Sequence, residues 1–283
     1  MISAPLTSSI LEECEYALSS SAAINDWEKL YLGFDLGTTN LVLVALNEKG
    51  MPVSAVLEPS GSSVRDGVIV DYMASLRGMR TCLDKLARKL GTNELPGIGA
   101  AAYPPGINTK TAKVCANVVE SLGYDCKGLY EEPSAAAMAM DLQEGVIVDI
   151  GGGTTGISIL HDGDVVYTAD EPTGGTHMTL VLAGSMGISF EEAEIVKRDP
   201  AKQQDLVPLL KPVLEKMAFI VHQKLEEAGY TGDSPVILVG GGADLPGSEE
   251  IMAPVIGYPV SKAPQPLLVT PLGIAMSLWR DMN

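Results

Sequence analysis

The chain has 283 residues, 46% of them hydrophobic, and carries a net charge of −17 from 36 Asp and Glu against 19 Lys and Arg. This is enough apolar content for one large domain or two lobes of ordinary size, and it argues against intrinsic disorder. The charge argues against a broad nucleic-acid or anionic-membrane surface, so an anionic ligand would have to be held by backbone N–H groups, a metal or a few placed cations.

In chain order, residues 1–11 show no basic stretch ahead of an apolar one, and no apolar run is long enough to cross a bilayer. Cys14, Cys82, Cys115 and Cys126 show neither a C-x-x-C pair nor metal-ligand spacing, which fits reduced thiols. A soluble cytoplasmic protein without a membrane span is expected. Leu6, Ile10, Cys14 and Ala17 share one helical stripe, and Ser9 precedes Glu12 as in a capping box. This predicts an amphipathic helix which, with its linker, occupies residues 1–29. Residues 30–34, 41–46 and 52–57 are short apolar stretches broken by tight turns, hence strands. A helix through Leu76, Met79, Leu83, Leu86 and Leu90 stops at Gly91, a strand follows at residues 98–103, and a helix through Val114, Val118 and Leu122 ends at Gly123.

The same order then restarts, with strands at residues 146–150, 156–160 and 165–168. Gly33-Phe34-Asp35-Leu36-Gly37-Thr38-Thr39 reappears as Ile147-Val148-Asp149-Ile150-Gly151-Gly152-Gly153-Thr154-Thr155, an internal repeat. Two lobes of common design, residues 30–142 and 143–283, are expected to face each other across a cleft. The second would close with a helix striped by Val213, Met217, Ile220 and Leu225, a buried strand at residues 236–239 running into Gly240-Gly241-Gly242, and a final helix behind a Pro-rich stretch at residues 263–271.

An apolar strand that stops at Asp and turns through Gly and Thr offers a carboxylate, hydroxyls and exposed N–H groups at one point, a combination that grips phosphate. One such turn alone reads more readily as a plain Gly-rich hairpin, whereas two matched copies in a repeat reverse that reading. Carboxylates beside a polyphosphate repel it, and Mg²⁺ removes the contradiction by bridging the two through its waters.

Asp35-Leu36-Gly37-Thr38-Thr39-Asn40 and Asp149-Ile150-Gly151-Gly152-Gly153-Thr154 resemble the two phosphate motifs of the actin-like ATPase superfamily. Glu131-Glu132-Pro133-Ser134-Ala135-Ala136-Ala137 is similar to its first connecting helix, and Val239-Gly240-Gly241-Gly242-Ala243 to its adenosine motif. More closely, Arg65-Asp66-Gly67-Val68-Ile69-Val70-Asp71, Pro104-Pro105-Gly106, residues 148–156 and Pro271-Leu272-Gly273 resemble the ethanolamine-utilisation EutJ family. The resemblance implies an α/β actin-like ATPase fold, two lobes of duplicated ribonuclease-H-like topology with ATP or ADP and Mg²⁺ in the cleft. It implies Asp35 and Asp149 around the hydrated metal, with Asp149 also orienting the attacking water and Glu132 near metal and water. Gly37, Thr38, Thr39, Asn40, Gly151, Gly152, Gly153, Thr154 and Thr155 would meet the phosphates. Gly175, Glu194, Lys197, Arg198, Gly240, Gly241 and Gly242 would meet the rest of the nucleotide.

From the residues alone, Glu132 is equally a carboxylate favoured by a helix N-terminus, while for Glu194 and Arg198, one turn apart, a surface ion pair is the competing reading to nucleotide binding. Ser189 and Glu192 are spaced as a capping box. His161, His177 and His222 show no metal spacing; His161-Asp162-Gly163 reads as a hairpin turn and His177 as structural. Two departures from the chaperone relatives stand out. No lysine between residues 51 and 93 matches their catalytic one, which points to slow hydrolysis. The stretch between Arg198 and Val213 is short for an outer subdomain, and no peptide-binding domain is expected after Asn283. The expected role is a nucleotide-switched chaperone or assembly factor of the ethanolamine microcompartment, with a protein client or shell component as partner. The alternatives are a filament-forming or pilus-type assembly ATPase and a small-molecule kinase, the last disfavoured by the lack of length for an acceptor pocket.

Overall fold

In the computed structural model, which describes residues 4–20, 27–61, 63–65 and 68–283, the chain opens with helix α1 (Ala4–Ser19). Asp66 and Gly67, linker residues 21–26 and the side chain of Leu6, all invoked above, lie outside what is described. The first sheet takes β1 (Leu30–Leu36), β2 (Asn40–Leu46) and β3 (Pro52–Pro59), followed by a small hairpin of β4 (Val64–Arg65) and β5 (Val68–Ile69). Helix α2 (Tyr72–Lys89), β6 (Gly97–Tyr103), α3 (Thr109–Ser121), β7 (Cys126–Glu131) and α4 (Glu132–Met140) complete the first half. The second half runs β8 (Gly145–Ile150), β9 (Thr155–His161), β10 (Asp164–Glu171), α5 (Gly175–Met186), α6 (Phe190–Arg198) and α7 (Pro200–Glu227). It ends with β11 (Val236–Val239), α8 (Ser248–Ile256), β12 (Val260–Lys262) and α9 (Val269–Met282).

The sheets have matching strand orders, β3-β2-β1-β6-β7 and β10-β9-β8-β11-β12. In each, the central strand pairs antiparallel with its hairpin partner and parallel with the strand on its other side. That change of direction places Asp35 and Asp149 at the carboxyl ends of β1 and β8, at the switch point where open α/β sheets bind ligands. Strands β1, β2 and β8 are covered on both faces, which is why they read as continuous apolar runs.

Met79, Leu86 and Val118 from α2 and α3 pack on one side of the first sheet against Leu32, Phe34 and Leu43. Helix α9 packs on β1, β2, β6 and β7, and against α4. The final helix of the segment expected as the second lobe therefore closes the first sheet. The stripe assigned to α7 is also corrected. The helix begins at Pro200 and buries Leu206, Leu210, Leu214, Met217, Ala218, Val221 and Leu225, while Val213 and Ile220 are only partly covered. Its Pro208 and Pro212 lie on the exposed side, which hid the helix's start from the sequence. Helix α1 begins at Ala4, so Ser9 sits inside it and not at its N-cap; its buried stripe is Leu11, Cys14 and Ala17, with Ile10 alongside. Asp162 and Gly163, at φ 51° and 81°, form the expected tight turn between β9 and β10.

Candidate functional site

The two Asp-Gly-Thr turns close their hairpins in the same way. Leu36 pairs with Leu41 before the first turn and Ile150 with Thr155 before the second, where Gly151 N–H donates to Thr154 O at 2.9 Å. The second turn is pinned from behind: Gly175 N–H donates to Gly151 O at 2.9 Å and Thr176 N–H to Gly152 O at 2.8 Å. The first amides of α5 are thus spent on shaping the turn. Across the cleft the turns abut, since a Cβ on Gly152 would run into the Thr39 side chain. They open onto a cavity of about 270 Å³.

Every residue expected at the metal, the phosphates or the adenosine lines this cavity except Thr155. Thr155 is fully buried and its hydroxyl donates to Thr173 O at 2.7 Å, so it braces the hairpin and is removed from the phosphate set. Its neighbour Thr154 faces the cavity.

Asp35, Asp149 and Glu132, the first residue of α4, line the same cleft. Burial, then the Asp149 charge, pushes the Asp35 carboxyl up to about 7. Asp149 rises to about 6 through burial and the charge of Asp170, against the lowering effect of the Thr270 hydroxyl, which donates to Asp149 Oδ2 at 3.1 Å. Glu132 is pushed well above the carboxylate range by burial and then by Asp35, Asp149 and Asp170. The cations among the lining residues, Lys197 and Arg198, both come from α6 and are both paired with Glu194. Three carboxyls raised by burial and by neighbouring carboxylates are a donor set that a divalent cation would relieve. Their ligating oxygens do not gather within direct reach of one ion: the only such cluster among the described residues is exposed Glu144, His161 and Asp162, in the β9–β10 turn region. A cation held by the three carboxyls would therefore keep water in its inner shell.

The same cavity is lined by Glu194, Lys197, Arg198 and the triple glycine. Of the three glycines only Gly240 has a positive φ, 83°, and a Cβ there would strike the Asp149 carboxylate and the Ile150 carbonyl. Gly241 has no positive φ, and a Cβ on it would reach only the Leu267 side-chain tip, at 3.1 Å. The cleft also includes Asp170, Gln203, Asp244, Leu267 and Thr270, which sequence reasoning missed. Thr270 and Leu267 sit in the Pro-rich stretch, where no local pattern announces a site. Asp170 lies in β10, and its place in the repeat was the available signal. His177 is exposed, and its Nδ1 accepts from Gly174 N–H at 3.4 Å at the start of α5, a structural role; His222 bonds Ile256 O at 3.0 Å.

Comparison with known proteins follows from this geometry. The ethanolamine utilization protein EutJ of Escherichia coli K12 is 39% identical over 249 residues, covering 88% of this chain and 86% of the relative. The chain belongs to the EutJ family. Its residues 111–263 match the family described as type IV pilus assembly protein PilM. The crystal structure of EutJ from Carboxydothermus hydrogenoformans superposes with a TM-score of 0.90 at 39% identity, over 97% of this chain and 99% of that one. An MreB of Spiroplasma citri bound to AMPPNP superposes with a TM-score of 0.71 at 18% identity, over 90% of this chain and 98% of that one. The fold of this EutJ-family chain is accordingly actin-like. No helix among its described residues is long and apolar enough to cross a membrane.

Proposed function

We propose that the chain is a nucleotide-binding protein of ethanolamine utilisation that takes ATP or ADP with Mg²⁺ between its two hairpin turns and passes between an open and a closed state. One observation carries the reading: equivalent turns of two equivalent sheets converge, Thr39 against Gly152, in a cavity that also holds Asp35, Asp149 and Glu132. The family supplies the process, and the solved MreB with its AMPPNP supplies the ligand class. The lobes would be residues 30–142 and 143–283, with 1–29 as an appended segment.

Bound Mg²⁺ would supply the positive charge that lets three carboxyls and a polyphosphate share one cleft. Asp35 and Asp149 would hold its water shell. Asp149, fixed by Thr270, and Glu132, anchored at the start of α4, would orient an attacking water, and the amides and hydroxyls of both turns would receive phosphate oxygens. Both lining cations are engaged with Glu194, so little positive charge is left to stabilise phosphoryl transfer and hydrolysis is slow. The output would be read by a protein client or shell component of the ethanolamine microcompartment, in a chaperone-like or assembly role in the cytoplasm.

Calorimetry tests the reading. Mg-ATP should bind to the wild type, and chelating the metal or changing Asp35→Asn or Asp149→Asn should lower the affinity at least about tenfold, as expected for losing a charged partner. No binding, or equal affinity in all three proteins, would overturn it. The PilM match favours a second reading, a pilus-type or filament-forming assembly protein. Light scattering that rises on adding Mg-ATP would select it.

A further inference from the structure

Glu194, Lys197 and Arg198 line the cleft from α6, yet Lys197 has its bonding capacity already used. The Lys197 ammonium has three protons and three partners: Gly175 O at 2.9 Å, Thr179 Oγ1 at 2.7 Å and Glu194 Oε2 at 2.7 Å. Glu194 Oε2 also faces the Thr179 hydroxyl at 2.5 Å, and its Oε1 accepts Arg198 Nε–H at 2.7 Å. A ligand reaching Lys197 would have to break this set. Arg198 differs. With Nε committed to Glu194, its guanidinium reaches the opposite lobe, where Nη1 donates to Asn40 Oδ1 at 3.1 Å. Asn40 opens β2 directly after Thr39, the residue against which Gly152 is packed. The one side-chain hydrogen bond from α6 to the first sheet among the described residues thus lies beside the point where the two turns meet.

The geometry points to an interlobe latch made by Arg198 and Asn40, with Glu194, Lys197 and Thr179 as positioning residues that aim Arg198. Closed, the latch holds the turns together without a ligand; a ligand can pass only when it opens, so it governs the exchange of whatever occupies the cleft. The second half of this inference rests on the nucleotide reading above, whereas the first stands without it.

Hydrogen–deuterium exchange at residues 37–40 and 151–154 of the ligand-free protein reads the latch, and the release rate of a fluorescent ADP analogue reads its effect. Asn40→Ala and Arg198→Gln should each speed both by about 3- to 10-fold, the range for a hydrogen bond to a charged group that stays partly in water. Because both remove the same bond, the double variant should be no faster than the singles. Asn40→Asp, which offers Arg198 a carboxylate, should keep the turns protected. Thr179→Val should speed release while Thr179→Ser, which keeps the hydroxyl, should not. Wild-type protection in Asn40→Ala, or additive effects of the two single changes, would overturn the latch. Altered protection in a protein that binds no nucleotide would keep the latch and overturn the nucleotide reading instead, so the two failures are separable.

Discussion

Asp35 is the residue at which the site's purpose and the fold's stability pull against each other. Its carboxyl titrates near 7 in the folded protein against an ordinary 3.8, and Asp149 near 6, so the metal-free folded state holds these protons more tightly than the unfolded chain does. A raised acid contributes stability that is fully present below the unfolded value, about pH 4, and lost as pH rises through 6 to 7. Metal-free wild type should therefore lose stability between pH 5 and 8. Asp35→Asn, which stays neutral, should be the more stable protein at pH 8, by about 2 kcal/mol or several °C after allowing for the solvent contact and coupling of these groups. Its advantage should shrink at pH 5. With Mg-ATP the order at pH 8 should reverse, because the variant gains less from the ligand. Parallel melting profiles for the two metal-free proteins would refute this account of Asp35. The triple glycine divides in a similar way. Gly240→Ala meets both a positive φ and the Asp149 carboxylate, so it should cost about 1–3 kcal/mol of stability. Gly241→Ala should melt like wild type yet bind ATP more weakly, since its methyl narrows the gap to Leu267. A thermal scan paired with a binding curve distinguishes the two, and equal melting of both variants would contradict it.

Helix α1 shows what a single element reveals and conceals. Its apolar stripe was legible because Cys14 and Ala17 recur at helical spacing, but the surface that receives it was not. Leu11 and Cys14 are fully buried in the core shared by β2, α4 and α9. The carbonyls at the helix's C-terminal end are received by Lys89 of α2, whose ammonium donates to Ala17 O at 2.8 Å, Leu18 O at 2.7 Å and Ala55 O at 3.1 Å. A cation at a helix C-terminus also meets the negative end of its dipole. Nothing within α1 encodes a lysine some seventy residues away. Strand β7 escaped sequence reading because Cys126–Glu131 has little apolar alternation at the sheet's edge, and β12 because it is three residues long. The docked helix makes a definite expectation: Leu11→Ala should destabilise by about 2–4 kcal/mol, and Lys89→Met by about 1–3 kcal/mol for three carbonyls left without a donor. Deleting residues 1–24 should lower the melting temperature as well. Unchanged melting in Leu11→Ala would mean that α1 is held by something other than this packing.

Across the whole molecule, what the sequence made visible is what is local. Each Asp-Gly-Thr turn is a short contiguous string and its repetition announces two matching halves, so Asp35, Asp149 and both glycine turns could be placed together before any coordinates. What joins the halves is not local: Thr39 against Gly152, Arg198 to Asn40, and the return of α9 to the first sheet. Part of that return is the crossing of α4 and α9. A Cβ on Gly273 would run into the Ala135 carbonyl, and one on Gly33 of β1 would lie 2.8 Å from both Ala275 N and Pro271 O, so backbone meets backbone with no room for a side chain. The two helices carry the site between them, since α4 starts at Glu132 and α9 holds Thr270, one turn before Gly273. Gly273→Ala should therefore push the helices apart, costing about 1–3 kcal/mol as over-packing does. It should also weaken Mg-ATP binding by displacing Glu132 and the Thr270–Asp149 bond together. Gly184→Ala is the control: it lies in the last turn of α5 with nothing within 4 Å of the added methyl, and should gain up to about 0.5–1 kcal/mol with no change in affinity. Calorimetric melting and Mg-ATP titration of both variants provide the test. Loss of stability in Gly273→Ala with wild-type affinity would show that the crossing holds the fold without setting the site.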